Sequence, residues 1–550
     1  MINIGRGVPP VIIQGRNEAD PPWLIWPTSV ARSMTRGAPG PLAWSRWAPN
    51  TLERALVARR ALLVRATAFW CGAFEASPSA GAAGGGEPDR PLYVEADVGR
   101  YPEVWDLTGV DEVPALALID PAGELLAGPV PDTAAARATM GGGAGDRRES
   151  GAPAELLTPE GMAGRFLEEF DWKTYGFGDV PRSPQPCVGA FLLQGGLRTG
   201  QAQAVKASTL MLDAMHKSDV HDQVDGGFFH AVRGRRWDDP ATGKSLAMNA
   251  HMATAYAMAA RALGRDDFER VARETVRYIN GFLGAGESSL WRSGQAPDDE
   301  YYGRLQHRRT ATKRPALEGA SYADSCSAAV SALAALAICC KERELIGRAK
   351  LALREVYASG QGEDPPFLHT FEDGQWGGET YLRDALAAGE AAVDMWCATG
   401  DRKWLDLCTE ALSSVGTLAT EPALSAYERG KLALHFLRME GATRAAGFAL
   451  AGRAALREPP RQTYMSKAAR AAWGTALIAQ RKGVLVVFGP PEDPLTREAM
   501  AACFALGPAV LSDKKAPHTA IACGGGEPNP VTDKAGVERV VGELIKSPKA

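Results

Sequence analysis

The sequence predicts a multidomain protein of the α/β plus all-α class, and three observations support this. Short apolar runs separated by glycine- and proline-rich turns occupy the first 150 or so residues, which is typical of a small α/β domain. Beyond residue 190, alanine- and leucine-rich segments follow a helical period. The last part contains a single strand and helix, Gly483–Gly489 followed by Pro494–Cys503, which predicts a short C-terminal α/β tail. A length of 550 residues accommodates these units.

The N-terminal segment has the pattern of alternating helices and short buried strands. We expect helices over Thr51–Arg59, after Trp70 and around Tyr101–Leu107, and strands over Ala61–Ala66, Leu92–Ala96, Ala115–Ile119 and Glu124–Leu126. The last two strands flank the turn Asp120–Gly123, which predicts a terminal hairpin. Two glycine- and alanine-rich stretches, Ser77–Pro91 and Asp132–Pro153, are predicted as a loop and a linker.

The long helical part contains a loose internal repeat of an apolar helix, a polar turn and a second helix. Its four clearest copies are Ala255–Ile279, Leu333–Val356, Ala391–Leu412 and Lys431–Leu456. Each hairpin can bury its apolar face only against its neighbours. Glycine- and aromatic-rich links between copies, such as Asp225–Phe229 and Gln375–Gly378, suit tight turns on one rim. The pattern therefore favours a closed α/α toroid over an open solenoid.

We divide the chain into four parts on these grounds. They are residues 1–135 as the N-terminal domain with an extension, 136–160 as a flexible linker, 161–475 as the helical barrel and 476–550 as the C-terminal tail.

Composition excludes several functional classes. The formal net charge of −4, without a basic block, argues against nucleic-acid binding. The longest nearly apolar run, Ala328–Cys340, is shorter than the roughly 18 residues of a membrane helix, so we expect no membrane insertion. The nine cysteines form no C-x-x-C pair, and Met1–Pro10 has no secretory signal, so we expect a cytoplasmic protein without a zinc or cofactor site.

Several motifs are similar to those of one known family. They are Trp44 and Trp47, Ala68–Cys71, Tyr175–Gly178, Asp222–Phe228 followed by Trp237, Lys244 and Asn249, and Ala522–Asp533 near the C-terminus. With these motifs the chain resembles the spermatogenesis-associated protein 20-like family. The resemblance implies a thioredoxin-like domain followed by a six-hairpin α/α barrel. By analogy with relatives of that barrel, it also implies a role in carbohydrate metabolism.

The chain departs from the family pattern at two motifs. Ala68–Cys71 aligns with a Cys-His-Trp-Cys site, and Ala241–Lys244 aligns with a His-Phe-Glu-Lys run. Met248 also stands where the family has an aspartate beside Asn249. We therefore identify the chain as a diverged relative.

The first departure affects redox chemistry. A thioredoxin site needs an attacking thiolate and a resolving cysteine, and here Ala68 holds the attacking position while Cys71 is alone. We therefore predict no dithiol–disulfide cycling. Cys71 stays a catalytic candidate only for a monothiol role, and the alternative is a small buried residue on a structural helix.

Sugar chemistry in an α/α barrel requires ionisable groups that point into a central cavity. The catalytic candidates are Asp222 and Asp384, with His221, His251, Glu390 and Asp394 as further groups. Solvated helix faces and helix caps are the alternative for most of them. Trp237, Trp291, Trp376 and Trp396 are candidate stacking platforms, with core packing as the alternative.

The motif residues Asp222, Trp237, Lys244 and Asn249 are predicted to bind a small polar ligand at one mouth of the toroid. Because the neighbouring histidine and acids of the family are replaced, we expect binding to outlast catalysis. One alternative is an active sugar isomerase, epimerase or glycoside-processing enzyme. Another is a scaffold that binds a protein partner through either domain.

Overall fold

The computed structural model describes residues 45–71, 91–130, 158–178, 181–360, 367–418, 424–457 and 465–546. Five strands form a sheet at the N-terminus. Their bounds are β1 Ser45–Arg46, β2 Leu62–Thr67, β3 Leu92–Asp97, β4 Ala115–Ile119 and β5 Leu125–Val130. The order is β1-β3-β2-β4-β5, in which β1, β3 and β2 are parallel and β4 and β5 are antiparallel to their neighbours.

Helices α1 (Thr51–Ala58) and α2 (Glu103–Thr108) accompany this sheet, and a 3₁₀ turn spans Phe69–Cys71. The four predicted strands are confirmed as β2 to β5, and the helices predicted over Thr51–Arg59 and around Tyr101–Leu107 are confirmed as α1 and α2. The two-residue β1 was not predicted. The helix predicted after Trp70 lies outside the described residues, apart from the 3₁₀ turn that ends at Cys71. The Val113–Pro114 peptide bond is cis. The predicted loop Ser77–Pro91 lies outside the described residues except for Pro91.

Six inner helices form a closed ring, in which each packs against the next and the last packs against the first. They are α4 Pro186–Thr199, α6 Leu246–Leu263, α10 Ala323–Cys339, α12 Leu382–Thr399, α14 Ala426–Thr443 and α16 Lys467–Lys482. The four predicted helical hairpins are confirmed within this ring, and the helix-rich class with a small N-terminal sheet is as expected.

An outer helix covers each inner one. The outer helices are α3 Pro159–Glu169, α5 Ala202–His216, α7 Asp266–Phe282, α11 Leu345–Tyr357, α13 Lys403–Leu418 and α15 Ala446–Ala455. Helix α3 packs on both α4 and α16, and so covers the junction at which the ring closes. The inner helices are apolar on several sides because they are packed on several sides.

Local signals explain where the inner helices begin and end. Ser245, Ser425 and Ser466 cap the N-termini of α6, α14 and α16, each accepting a hydrogen bond from a backbone N–H of the first turn. Gly264 and Gly400 end α6 and α12 in the left-handed conformation that glycine adopts without strain.

Short helices and strands connect the hairpins at the end of the ring where the inner helices begin. They are α8 Asp299–Tyr302, α9 Gln306–Arg309, β6 Ala231–Val232, β7 Pro240–Ala241, β8 Lys244–Ser245, β9 Gly294–Gln295, β10 Ser321–Tyr322, β11 Thr370–Glu372 and β12 Gln375–Gly377.

The C-terminal part forms a second small sheet, with strand order β14-β13-β15-β16. Its elements are β13 Leu485–Phe488, α17 Pro494–Leu506, β14 Ala509–Leu511, β15 Ala520–Cys523, β16 Asn529–Pro530 and α18 Lys534–Lys546. The tail is therefore larger than the single strand and helix predicted from the sequence. It packs on the ring, with α17 against α6 and α10.

Helix α16 runs to Lys482, so the last barrel helix extends past the expected domain boundary at residue 475. Most of the predicted linker 136–160 lies outside the described residues. No described helix is long and apolar enough to span a membrane.

Candidate functional site

The motif residues Asp222 and Lys244 meet, as predicted, where the loop after α5 reaches the start of α6. The Lys244 ammonium lies 2.7 Å from Asp222 Oδ2, and neither side chain is more than 1% exposed. Arg309 donates to both carboxylate oxygens at 2.8 Å. Burial would raise the pKa of Asp222, but the charges of Lys244 and Arg309 outweigh it and hold the pKa below its usual value.

Aromatic rings enclose the same ammonium group. Lys244 Nζ lies 4.4 Å from the ring centre of Tyr278 and 4.8 Å from those of Phe229 and Tyr302. It also donates to the carbonyl of Gly226 at 2.8 Å. This buried cation is thus surrounded by partners from the protein itself.

Asn249 completes the same junction. Its Oδ1 accepts from the backbone N–H of Phe228 at 2.6 Å, and its Nδ2 donates to the carbonyls of Phe228 and Ser245. Gly227 approaches so closely, with φ of 76°, that an added Cβ would lie 2.6 Å from the Tyr278 ring. The Gly-Gly turn is therefore a packing requirement.

Trp237 lies apart from this cluster of charges. Its indole N–H donates to the carbonyl of Tyr175 at 3.1 Å, and the Arg182 guanidinium stands over its ring at 5.6 Å. Trp237 is 1% exposed. Ligand binding by Asp222, Trp237, Lys244 and Asn249 stays a prediction, and their contacts within the protein favour a structural role.

The remaining catalytic candidates of the sequence lie elsewhere. Burial raises the pKa of Cys71 far above its usual value, which keeps it a thiol. Asp384 is fully buried, and its carboxylate accepts from His369 Nδ1 at 2.9 Å. Asp394 is paired with Arg438 at 2.7 Å, deep in the ring.

A different set of residues lines the axis of the ring. Each inner helix packs against neighbouring helices. On one side of it, however, partly exposed residues recur every three or four positions. Such a stripe faces a solvent-accessible space inside the ring, which we call the axial chamber. Its lining residues are Cys187 and Ala190; His251 and Thr254; Asp324, Ala328 and Ser331; Arg383, Ala387 and Glu390; Tyr427 and Lys431; and Ala468, Ala472 and Thr475.

Charges meet across the axial chamber. Lys431 on α14 donates to Glu390 on α12 at 2.5 Å, and the side chains are 15% and 26% exposed. Burial would raise the pKa of Glu390, but Lys431 and other cations lower it to about 2. The Arg383 guanidinium stands over the ring of Tyr427 at 4.6 Å.

His251 projects from α6 toward these groups. Burial, followed by the charge of Lys431, lowers its pKa to about 4, and Glu390 and Asp324 also act on it. No described residue forms a hydrogen bond with this imidazole. His251 is therefore neutral at pH 7 and free to accept a proton or a hydrogen bond from a ligand.

Two clusters of described residues bring three potential metal ligands within 4.8 Å of one another. In the first, made of Asp213, His216 and Asp267, Arg265 already binds both carboxylates. In the second, made of Asp324, His369 and Asp384, the histidine bonds directly to a carboxylate. Carboxylates in each cluster thus already have a charged or hydrogen-bonding partner within the protein.

Sequence reasoning named His251 and Glu390 but missed Lys431, Tyr427 and Arg383. The spacing of four and then three residues places such positions on one face of a helix, but it does not distinguish the face toward the axis from the face toward the core. Arg383, Ala387 and Glu390 repeat this spacing on α12, as His251 and Thr254 do in part on α6.

The structure places a small α/β domain at one end of a closed ring of helical hairpins. This ring surrounds the axial chamber, which is lined by ionisable groups. No protein-family model matches this sequence. The chain is similar to human spermatogenesis-associated protein 20, with 27% identity over 172 residues, 29% of this chain and 22% of the human protein's length. The family resemblance identified from the motifs is thus confirmed.

Several solved structures are similar to part of this chain, at low sequence identity. A cellobiose 2-epimerase from Spirochaeta thermophila is 12% identical, with a TM-score of 0.44 over 58% of this chain and 93% of its own. A D-mannose isomerase is 10% identical, with a TM-score of 0.47 over 60% and 96%. A GH76 alpha-mannanase from Bacteroides thetaiotaomicron is 11% identical, with a TM-score of 0.44 over 61% and 97%.

Proposed function

We propose that the axial chamber binds a small polar ligand of the carbohydrate class. The observation that supports this most directly is the imidazole of His251, which forms no hydrogen bond with any described residue and lies within reach of the charges of Glu390 and Lys431. The carboxylate and the neutral imidazole can accept hydrogen bonds, while the ammonium and the Tyr427 hydroxyl can donate them. An enclosed space with convergent donors and acceptors suits a neutral ligand that carries several hydroxyl groups.

Catalysis is the second candidate, and one observation favours it. His251 is neutral at pH 7, with a pKa of about 4, and can accept a proton. Burial would lower the pKa of Lys431, but the neighbouring Glu390 raises the pKa and keeps Lys431 an ammonium that can stabilise negative charge on a ligand. This arrangement would suit proton transfer in a sugar isomerase or epimerase. The scaffold alternative, binding of a protein partner, stays a prediction.

We further propose that the N-terminal domain is thioredoxin-like but does not cycle a disulfide. The strand order β1-β3-β2-β4-β5, with three parallel strands followed by an antiparallel pair, supports the first part. Ala68 and the buried thiol of Cys71 support the second part, since no thiolate is available to attack a disulfide. A cytoplasmic location stays a prediction.

The binding proposal is tested by calorimetry and thermal shift of the full chain against a panel of aldohexoses, disaccharides and polyols. We expect at least one neutral sugar to bind. Glu390→Gln and His251→Ala should each weaken binding by about 1–3 kcal/mol, the cost of leaving a buried polar group unsatisfied. The matched controls are Glu168→Gln and His307→Ala, which lie on the surface and should bind normally.

Two outcomes would contradict this proposal. One is a panel in which no sugar binds, and the other is a sugar whose affinity both chamber variants leave unchanged. Catalysis is tested separately by NMR in D₂O with the sugar that binds. Deuterium incorporation at the carbon next to the carbonyl, lost in His251→Ala, would support isomerase or epimerase chemistry.

A further inference from the structure

The N-terminal domain covers the end of the ring at which the inner helices begin. Its contacts reach the segments that lead into five of the six inner helices. They are Trp70 with Gly243 and Gly294 before α6 and α10, Gly99 with Tyr322 at α10, Asp106 with Arg383 at α12, Asp111 with Lys467 at α16, and Glu112 with Ser183 before α4. The footprint therefore surrounds the mouth of the axial chamber.

The tightest of these contacts involves the two motifs that depart from the family pattern. A Cβ added to Gly243 would lie 1.7 Å from the carbonyl oxygen of Trp70, and one added to Gly294 would lie 2.9 Å from the Trp70 ring. Only glycine at position 243 allows the 3₁₀ turn to reach the barrel. The domain is therefore seated directly on the mouth.

Charged groups hold the domain around the rim. Lys467 Nζ lies 2.9 Å from Asp111 Oδ2, and Arg100 Nη2 lies 2.9 Å from Glu372 Oε2. His369 Nε2 donates to the carbonyl of Gly99 at 2.8 Å. Contacts of this polar kind resemble those between domains that separate and re-form.

One carboxylate of the N-terminal domain reaches the chamber wall. Asp106 on α2 binds Arg383 at 3.0 Å, and both side chains keep about a fifth of their surface exposed, at 21% and 18%. The same charge acts on Glu428, which lies beside Tyr427 in the first turn of α14. The chamber is therefore completed by a residue from another domain.

The C-terminal tail covers the opposite end of the ring. Trp396 donates to the carbonyl of Leu511 at 2.7 Å, and Arg438 donates to that of Ala509 at 3.1 Å. Gln194 Nε2 lies 3.4 Å from the carbonyl of Phe504. Both ends of the chamber are thus closed by the chain itself.

We propose that the N-terminal domain is a lid that sets the size of ligand the axial chamber accepts. A ligand small enough to lie within the chamber can be enclosed once the domain is seated, whereas a polymeric glycan that extends through the mouth cannot. Entry and exit require the domain to lift from the rim. The chemical class of the ligand rests on the proposed function, but the lid itself rests on the interface alone.

A native thiol reports on this opening without any ligand. Cys187, in the first turn of α4, is partly exposed to the chamber, and the charges of Lys431 and Glu390 act on it. Cys523 is also partly exposed, but it lies at the opposite end of the ring, bonded to the carbonyl of Lys482. Cys523 therefore serves as the internal control.

The full chain is treated with methyl methanethiosulfonate or with a maleimide that carries a polyethylene glycol chain. Labelling of each cysteine is followed by peptide mass spectrometry. We compare the labelling rate with the small reagent to the rate with the bulky reagent at each cysteine. This ratio should be about tenfold or more higher at Cys187 than at Cys523, because only rare opening of the lid exposes Cys187. Gly243→Ala, which forces the lid from the mouth, should raise the Cys187 rate by about tenfold and leave Cys523 unchanged.

The control variant is Gly347→Ala on the outer helix α11, where an added Cβ meets no atom within 4 Å. It should label like the original protein. Equal discrimination at Cys187 and Cys523 in the original protein would overturn the lid, even if Gly243→Ala did not fold. A folded Gly243→Ala with an unchanged Cys187 rate would overturn it as well.

The two proposals fail in different experiments. A sugar panel without binding would remove the proposed function and leave the labelling result intact. Unrestricted labelling of Cys187 would remove the lid and leave sugar binding intact. If both hold, the sugar that binds should protect Cys187, and a linear tetrasaccharide of the same sugar should not.

Discussion

Replacement of Asp222 by alanine tests whether the strongest sequence motif of the chain is structural. The substitution removes the carboxylate that lies 2.7 Å from Lys244 Nζ and 2.8 Å from Arg309 Nη1. Lys244 is fully buried and cannot turn to solvent. Breaking a buried ion pair from one side costs about 3–5 kcal/mol, because the remaining charge is left without compensation.

The carboxylate also organises its own turn, since Oδ1 accepts from the backbone N–H of Val224 at 3.0 Å. We therefore expect the full cost of about 3–5 kcal/mol rather than a part of it. The pKa of Asp222 is lower in the folded protein than in the unfolded chain, so its stabilisation is present above the unfolded pKa. It disappears only as the pH falls through the folded pKa, and measurements at pH 7 capture the whole effect.

The assay is urea unfolding of the full chain at pH 7, followed by far-UV circular dichroism. The matched control is Asp219→Ala, an exposed aspartate three residues earlier, which should change stability by less than about 0.5 kcal/mol. A loss below about 1 kcal/mol in Asp222→Ala would refute the structural role. In that case the predicted ligand role of Asp222 would regain support.

Three further predictions follow from single contacts. Burial alone would lower the pKa of His369, but Asp384 raises it to about 9. The contribution of this pair to the free energy of unfolding should thus be fully present below pH 6.5 and fall by about 3 kcal/mol as the pH rises through 9. Urea unfolding at pH 6 and pH 10 measures the difference, and His369→Gln should abolish this pH dependence. The protein should not reduce insulin disulfides. Insulin reduction that is lost in Cys71→Ser would contradict this prediction. Ser425→Ala removes the capping box of α14 and should lower stability by about 1 kcal/mol in the same assay, whereas an unchanged midpoint would deny the cap any role.

Much of the local structure could be predicted because it depends on neighbours in the sequence. The strand Ala115–Ile119 was predicted at its observed bounds, since its apolar run is bounded by turn residues. Helices α6 and α7 follow from a period of 3.6 residues and a polar turn. Strands β14 and β15 were missed, because three or four apolar residues between turns carry little signal.

The family resemblance also predicted that the segments of Asp222 and Lys244 meet, because both residues belong to its motifs, and the two side chains are in contact. What it could not show is that Arg309, 87 residues from Asp222, occupies the remaining side of the carboxylate. An aspartate–lysine pair whose hydrogen bonds are all made within the protein and a pair that is open to a ligand show the same residue types in the sequence. Only the tertiary contacts distinguish them.

Closure of the ring decided the location of the axial chamber. Glu390 and Lys431 lie 41 residues apart and have no common local pattern, yet they meet because α12 and α14 are neighbours in the ring. On an inner helix, small residues face both the core and the axis, so the helical period does not separate the two. Which polar side chains share the chamber, and which domain covers it, is determined by long-range packing that no local pattern contains.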